Sequence, residues 1–223
     1  MGCDIHIMVE ARVSEKHDWI SQDKWDSEGS LVTEIYTGRS YSLFSILADV
    51  RNGVGFAGSD TGDGFVPISQ PKGLPSDASG QVEKYADEWG VDGHSHSYLT
   101  LQEIDQYDWT QETVRRGWVT PRQFALFSLQ GKPENWCSSV GGGNTRHVSN
   151  EDMSRAILHG SESNRITYRD YHRLESDNSG LYTQVSWPVK YCEQSGGFLG
   201  ETVPQLRRLG TPDNVRIVFF FDN

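Results

Sequence analysis

Four consecutive apolar residues, Val218-Phe219-Phe220-Phe221, lie within the segment Val215 to Asp222. Successive side chains of a strand point to opposite faces, so a strand of this sequence is apolar on both. It must be covered above and below, which places it centrally in a sheet. The chain opens on a neighbour for it. Over residues 3–13, Cys3, Ile5, Ile7, Val9, Ala11 and Val13 alternate with Asp4, His6, Met8, Glu10 and Arg12, the pattern of a half-buried strand. The expectation is an α+β protein, a single domain over residues 1–223 or one domain with a large insertion. Its mainly antiparallel sheet contains both terminal strands, joined by several short helices and long Gly-rich loops.

Between these strands the signals are mostly helical. Trp19 to Trp25 reads as a return strand after the turn at Ser14 to Asp18. Ser40 caps a helix with an apolar stripe at Tyr41, Phe44, Ile46, Leu47 and Val50, ending near Arg51-Asn52-Gly53. A Gly-rich loop over 52–64, a loop from Pro71 to Gly80 and a short helix over 81–89 follow. Thr100-Leu101-Gln102-Glu103 is a capping box, and Thr120-Pro121 starts a helix reaching Gly131. Residues 138–147 form a second Gly-rich loop. A helix from Ser149 or Asn150 through Leu158, a strand from Leu181 to Val189 and a short helix from Val203 to Leu209 complete the reading.

Composition narrows the partners. The 223 residues carry 20 Lys and Arg against 31 Asp and Glu, a formal charge of −11. The basic residues are scattered, and binding along a phosphate backbone needs them in a stripe. Extended nucleic acid is therefore not an expected partner, while a small anionic ligand held by a few arginines is. Hydrophobic content is 35%, but 25 aromatic residues (7 Trp, 9 Tyr and 9 Phe) supply large buried areas. No apolar run approaches the roughly 18 residues of a membrane span, and no signal peptide is read at the start. Three cysteines, Cys3, Cys137 and Cys192, are too few and odd in number for a disulfide scaffold, so free thiols in a reducing compartment are expected.

Two histidine motifs carry the chemistry. Asp4-Ile5-His6 and His94-Ser95-His96 each put alternate side chains on one side of an extended segment. Together they offer one carboxylate and three imidazoles, a fitting first shell for a divalent transition metal, zinc or manganese. Asp60, Asp63, His147 and Asp222 are candidates to complete it. Arg51, after the first helix, and Arg146, in the Gly-rich loop, are candidates to hold an anion. The loop lacks the Lys-Ser/Thr of a P-loop. Alternation puts Cys3 with the core residues, away from His6, as an inert thiol.

Several stretches together resemble a family of uncharacterised proteins met mostly in bacteriophage genomes. They are Met-Gly-Cys-Asp-Ile-His at the start, Leu-Ala-Asp-Val-Arg-Asn at residues 47–52, His-Ser-His-Ser-Tyr-Leu-Thr-Leu at 94–101 and Val-Arg-Ile-Val-Phe-Phe-Phe-Asp-Asn at the end. The resemblance implies a phage origin and the cytoplasm of an infected bacterium, and no mechanism. Asp4-Ile5-His6 with Gly93-His94-Ser95-His96 is also similar to the D-x-H and G-H-x-H motifs of calcineurin-type metallophosphoesterases, whose G-N-H-[DE] is missing here. The expected activity is a metal-dependent, phosphodiesterase-like hydrolase of a small phosphorylated or nucleotide-like ligand, with Asp4, His6, His94 and His96 as metal ligands and catalytic residues. For a phage protein, a host signalling nucleotide is the attractive substrate. The alternative is a non-enzymatic accessory protein that sequesters such a ligand or binds a host defence protein.

Overall fold

A computed structural model describes residues 2–159 and 180–222. The chain divides into two compact units. The first comprises Met1–Asn52, Phe65–Gln111 and Lys190–Asn223; the second, Gly53–Gly64 and Glu112–Val189, is inserted into it. In chain order the first unit holds β1 Asp4–Ala11, β2 Ile20–Ser21, β3 Lys24–Trp25, β4 Leu31–Thr33, α1 Tyr41–Ala48, α2 Gly80–Trp89, β5 His94–Thr100 and α3 Leu101–Gln106. The second supplies β6 Glu112–Val119, α4 Pro121–Gln130, β7 Arg146–His147, α5 Asn150–His159 and β8 Leu181–Lys190. The chain returns to the first unit with α6 Tyr191–Gln194, α7 Val203–Leu206 and β9 Val215–Asp222. No helix among the described residues is long and apolar enough to cross a membrane.

The main sheet has the order β2-β1-β9-β5, all pairs antiparallel. The C-terminal strand β9 lies between β1 and β5, as its two-sided apolar sequence demands, and Val215 to Phe221 are all buried. Ile7, Phe219 and Phe221 face α1, α3 and α7 in one core cluster. Met8, Val218 and Phe220 face α2 in another. The second unit has its own core around Val119, Phe124, Met153, Val185, Trp187 and Val189. Its sheet has the order β6-β8-β7, with β7 and β8 parallel.

The structure departs from the sequence pattern in β1, expected to be half-buried. From Ile5 to Ala11 every residue is buried, because α2 and the segment before it cover the second face. That cover is partly ionic. Arg216 Nε lies 2.7 Å from Glu10 Oε2, and Arg216 Nη1 lies 2.8 Å from Asp77 Oδ1. Ser79 N–H donates to Glu10 Oε1 at 2.6 Å, and the guanidinium sits 4.0 Å over the Trp19 ring. The return strand expected over Trp19 to Trp25 shrinks to β2, since Lys24 and Trp25 pair with β4 instead. Strand β6 is not foreseen at all.

Local signals account for the helix starts. Ser40 accepts from Leu43 N–H at α1, and Thr120 from Gln123 N–H at α4, with Pro121 in the first turn. At α3 the capping box is complete: Glu103 N–H donates to Thr100 Oγ1 at 3.2 Å, and Thr100 N–H to Glu103 Oε2 at 2.7 Å. Loss of such a cap costs about 1 kcal/mol. Thr100→Ala should therefore lower the urea midpoint by that equivalent, and an unchanged midpoint would show the cap to be energetically idle.

Candidate functional site

The two motifs come to the same end of the main sheet, on strands either side of β9. Asp4 pairs with Asp222, His6 with Phe220 and His94 with Phe221. Strands one apart in a sheet are separated by about 9–10 Å, and first-shell metal bonds are about 2 Å. At that backbone spacing the side-chain directions decide whether the motifs meet.

The His-x-His motif itself is split. Between the paired positions His94↔Phe221 and Ser97↔Phe219 the register shifts by one residue, and Ser95 takes a left-handed φ of 52°. This is a β-bulge. It sends the two imidazoles to opposite faces of the sheet: His94 stacks toward Phe221 at 6.1 Å between ring centroids, and His96 on Phe220 at 5.0 Å. The expectation that both face one side is corrected. Asp4 is exposed and ion-paired to Arg39 at 3.1 Å. Among the described residues no three His, Cys, Asp or Glu side chains are gathered to hold a metal ion.

The structure gathers a different group around His6. Glu34 Oε1 lies 3.5 Å from its Nδ1, and Asp222 Oδ2 lies 3.5 Å from its Nε2. The Tyr85 hydroxyl is also 3.5 Å from Nδ1. The ring stacks on Phe220 at 4.9 Å and lies 4.2 Å from Trp89. Nε2 is buried and faces the Asp222 carboxylate at 3.5 Å, a long contact. Burial opposes protonation of His6, but attraction from Glu34 and Asp222 outweighs it and raises the pKa above the usual value. His6 is thus biased toward imidazolium. His96 goes the other way: burial, helped by His94, lowers its pKa, and the ring lies beside a cavity of about 460 Å³ lined by Leu74, Asp87 and Gly90.

Of the four residues proposed to complete a metal shell, Asp222 alone sits with His6. Asp60 and Asp63 belong to the second unit and both pair with Arg116. His147, also in that unit, stacks on Trp118 at 4.2 Å. Arg146 is an exposed residue of β7 in the same unit. Arg51 does reach the motif end of the sheet. Its guanidinium lies 5.5 Å over the Tyr41 ring and interacts with the Cys3 thiol. Its φ of 57° is left-handed, uncommon for a non-glycine residue. Two of the four such residues among the described ones, Arg51 and Ser95, therefore flank this end of the sheet. Backbone strain of this kind concentrates at functional sites. Cys3 is buried, as alternation indicates, and the three cysteines are free.

Glu34 opens onto a second cavity, of about 540 Å³, which it lines together with Val9, Asp23 and Arg208. Asp23 Oδ2 accepts Val9 N–H at 2.7 Å, yet burial pushes this carboxyl up to about 6. An unfolded Asp titrates near 3.9, so the native state binds the extra proton more tightly. Stability should then fall as pH rises from about 4 to about 6 and level off above. Asp23→Asn keeps an acceptor for Val9 and should remove that slope, gaining about 2 kcal/mol at pH 7. Urea titrations of both proteins across this window check it; parallel curves refute it.

Compared with known proteins, the chain matches no family model, no curated protein and no solved structure.

Proposed function

We propose that the protein is a hydrolase-type enzyme acting on a small phosphorylated or nucleotide-like ligand, with His6 as its proton donor. One observation carries this: a nearly buried imidazole held between the carboxylates of Glu34 and Asp222, each 3.5 Å from a ring nitrogen. Flanking carboxylates keep such a ring protonated and oriented, so that it can give a proton to a leaving oxygen and take one back from water. Phe220 and Trp89 fix the plane of the ring. The alternative, a non-enzymatic protein that sequesters the ligand or docks on a host defence protein, is favoured by the split of His94 from His96. It calls for binding without turnover.

Incubation with a panel of linear and cyclic nucleotides, followed by phosphorus NMR, tests the reading. His6→Asn should reduce any turnover by about 10²–10⁴-fold while the melting temperature stays within a few degrees. Turnover unaffected by this change removes His6 from the chemistry. Ligand binding with no turnover by the native protein supports the accessory reading. Metal analysis of the same preparation, purified without chelator, decides whether zinc or manganese takes part.

A further inference from the structure

We propose that the cavity beside Glu34 is a guanine-nucleotide pocket, in which Asp23 and Glu34 receive the base edge and Lys24 with Arg208 receive the phosphate. This deepens the proposed function and rests on it for the link to His6. The cavity, about 540 Å³, is within the range of small-molecule sites. Val9 and Ile35 form part of its apolar wall.

The polar groups divide by charge. Asp23 Oδ2 is occupied by Val9 N–H and the Ser21 hydroxyl, while Oδ1 accepts no hydrogen bond among the described residues. A half-buried carboxyl with one oxygen open to the cavity is matched by a ligand that brings N–H donors. A guanine edge presents N1–H and the 2-amino group side by side, suited to carboxylate oxygens. Lys24 and Arg208 line the same cavity, and neither side chain makes an ion pair or hydrogen bond among the described residues. Cations without a carboxylate partner among the described residues leave a place for an anionic group. Glu34 joins the two regions: it lines the cavity and also stands 3.5 Å from His6 Nδ1. A nucleotide seated here has its base edge at Glu34, whose carboxylate stands between it and the Nδ1 side of His6.

Calorimetry with guanosine monophosphate, inosine monophosphate and inorganic phosphate tests this on the full chain. Guanosine monophosphate should bind, and inosine monophosphate, lacking the 2-amino group, about tenfold more weakly. Asp23→Asn should weaken the guanine nucleotide about tenfold and leave phosphate binding unchanged. The pair Lys24→Ala and Arg208→Ala should weaken both nucleotides and phosphate. Undetectable binding of guanosine monophosphate at millimolar concentration overturns the proposal, as does equal binding by all variants. Should binding be lost in His6→Asn but not in the pocket variants, the pocket falls while the proposed function stands. Binding that follows the pocket variants, with no nucleotide turned over, sustains the pocket and removes the hydrolase.

Discussion

Arg216→Met is expected to destabilise the first unit by about 3–5 kcal/mol, the cost of leaving a buried carboxylate without its counter-charge. Glu10 is fully buried and Arg216 nearly so. The change leaves Glu10 with one hydrogen bond, from Ser79 N–H, and strips Asp77 of its cation. Whole-domain stabilities are about 5–15 kcal/mol, so the variant stands close to unfolding at ordinary temperature. The double change Glu10→Met with Arg216→Met should recover much of the loss, because apolar replacement of both partners of a buried pair is often neutral. A double-mutant cycle by urea denaturation measures this. If Arg216→Met costs under 1 kcal/mol, the pair is solvated in solution and the account of the covered second face of β1 is wrong.

Phe220→Ala is the second large effect, with a loss of about 3–5 kcal/mol. Phe220 is fully buried on β9. Its ring packs against Tyr85 at 6.0 Å and Trp89 at 5.8 Å, and it is the surface on which both His6 and His96 stack. Truncation opens a cavity under both imidazoles at once. Phe220→Leu refills most of that volume and should cost less in stability, yet it still removes the flat platform. Histidine ring resonances in NMR separate the two consequences: with Leu, the His6 and His96 shifts should change although the fold persists. Identical shifts in the native and Leu proteins would mean that the stacks do not set ring orientation.

The parts of this fold legible in the sequence are those governed by local chemistry or by burial on both faces. Val218 to Phe221 announced a central strand, and Ser40, Thr100 and Thr120 announced helix starts through their caps. What escaped depended on distant segments. The His-x-His reading assumed an unbroken strand, and nothing local marks Ser95 as left-handed, since serine carries no special tolerance for positive φ. Glu34 sits in an irregular stretch after β4 and reaches His6 only through tertiary packing, so no motif spacing could signal it. Asp222 was one of four candidates, distinguishable only once β9 was laid beside β1. Strand β6, Glu-Thr-Val-Arg-Arg-Gly-Trp-Val, carries adjacent charges that blur any alternation. The burial of Glu10 is invisible without its partner, 206 residues away.

The seat of β9 between β1 and β5 makes assembly of the sheet a long-range event. The backbone N–H of Asp4 reaches the Asp222 carboxylate across a separation of 218 residues, and closing so long a loop has a high entropic cost before any contact rewards it. Until that strand inserts, β1 and β5 have no partner between them, and His6 lacks both Asp222 and the Phe220 surface. Refolding should accordingly be slow, with nascent helix signals preceding burial of tryptophan, and the His6 imidazole should acquire its environment in the last cooperative step. An immature chain therefore lacks the surroundings of His6, and the ring resonances of that histidine can serve as a reporter that folding has finished.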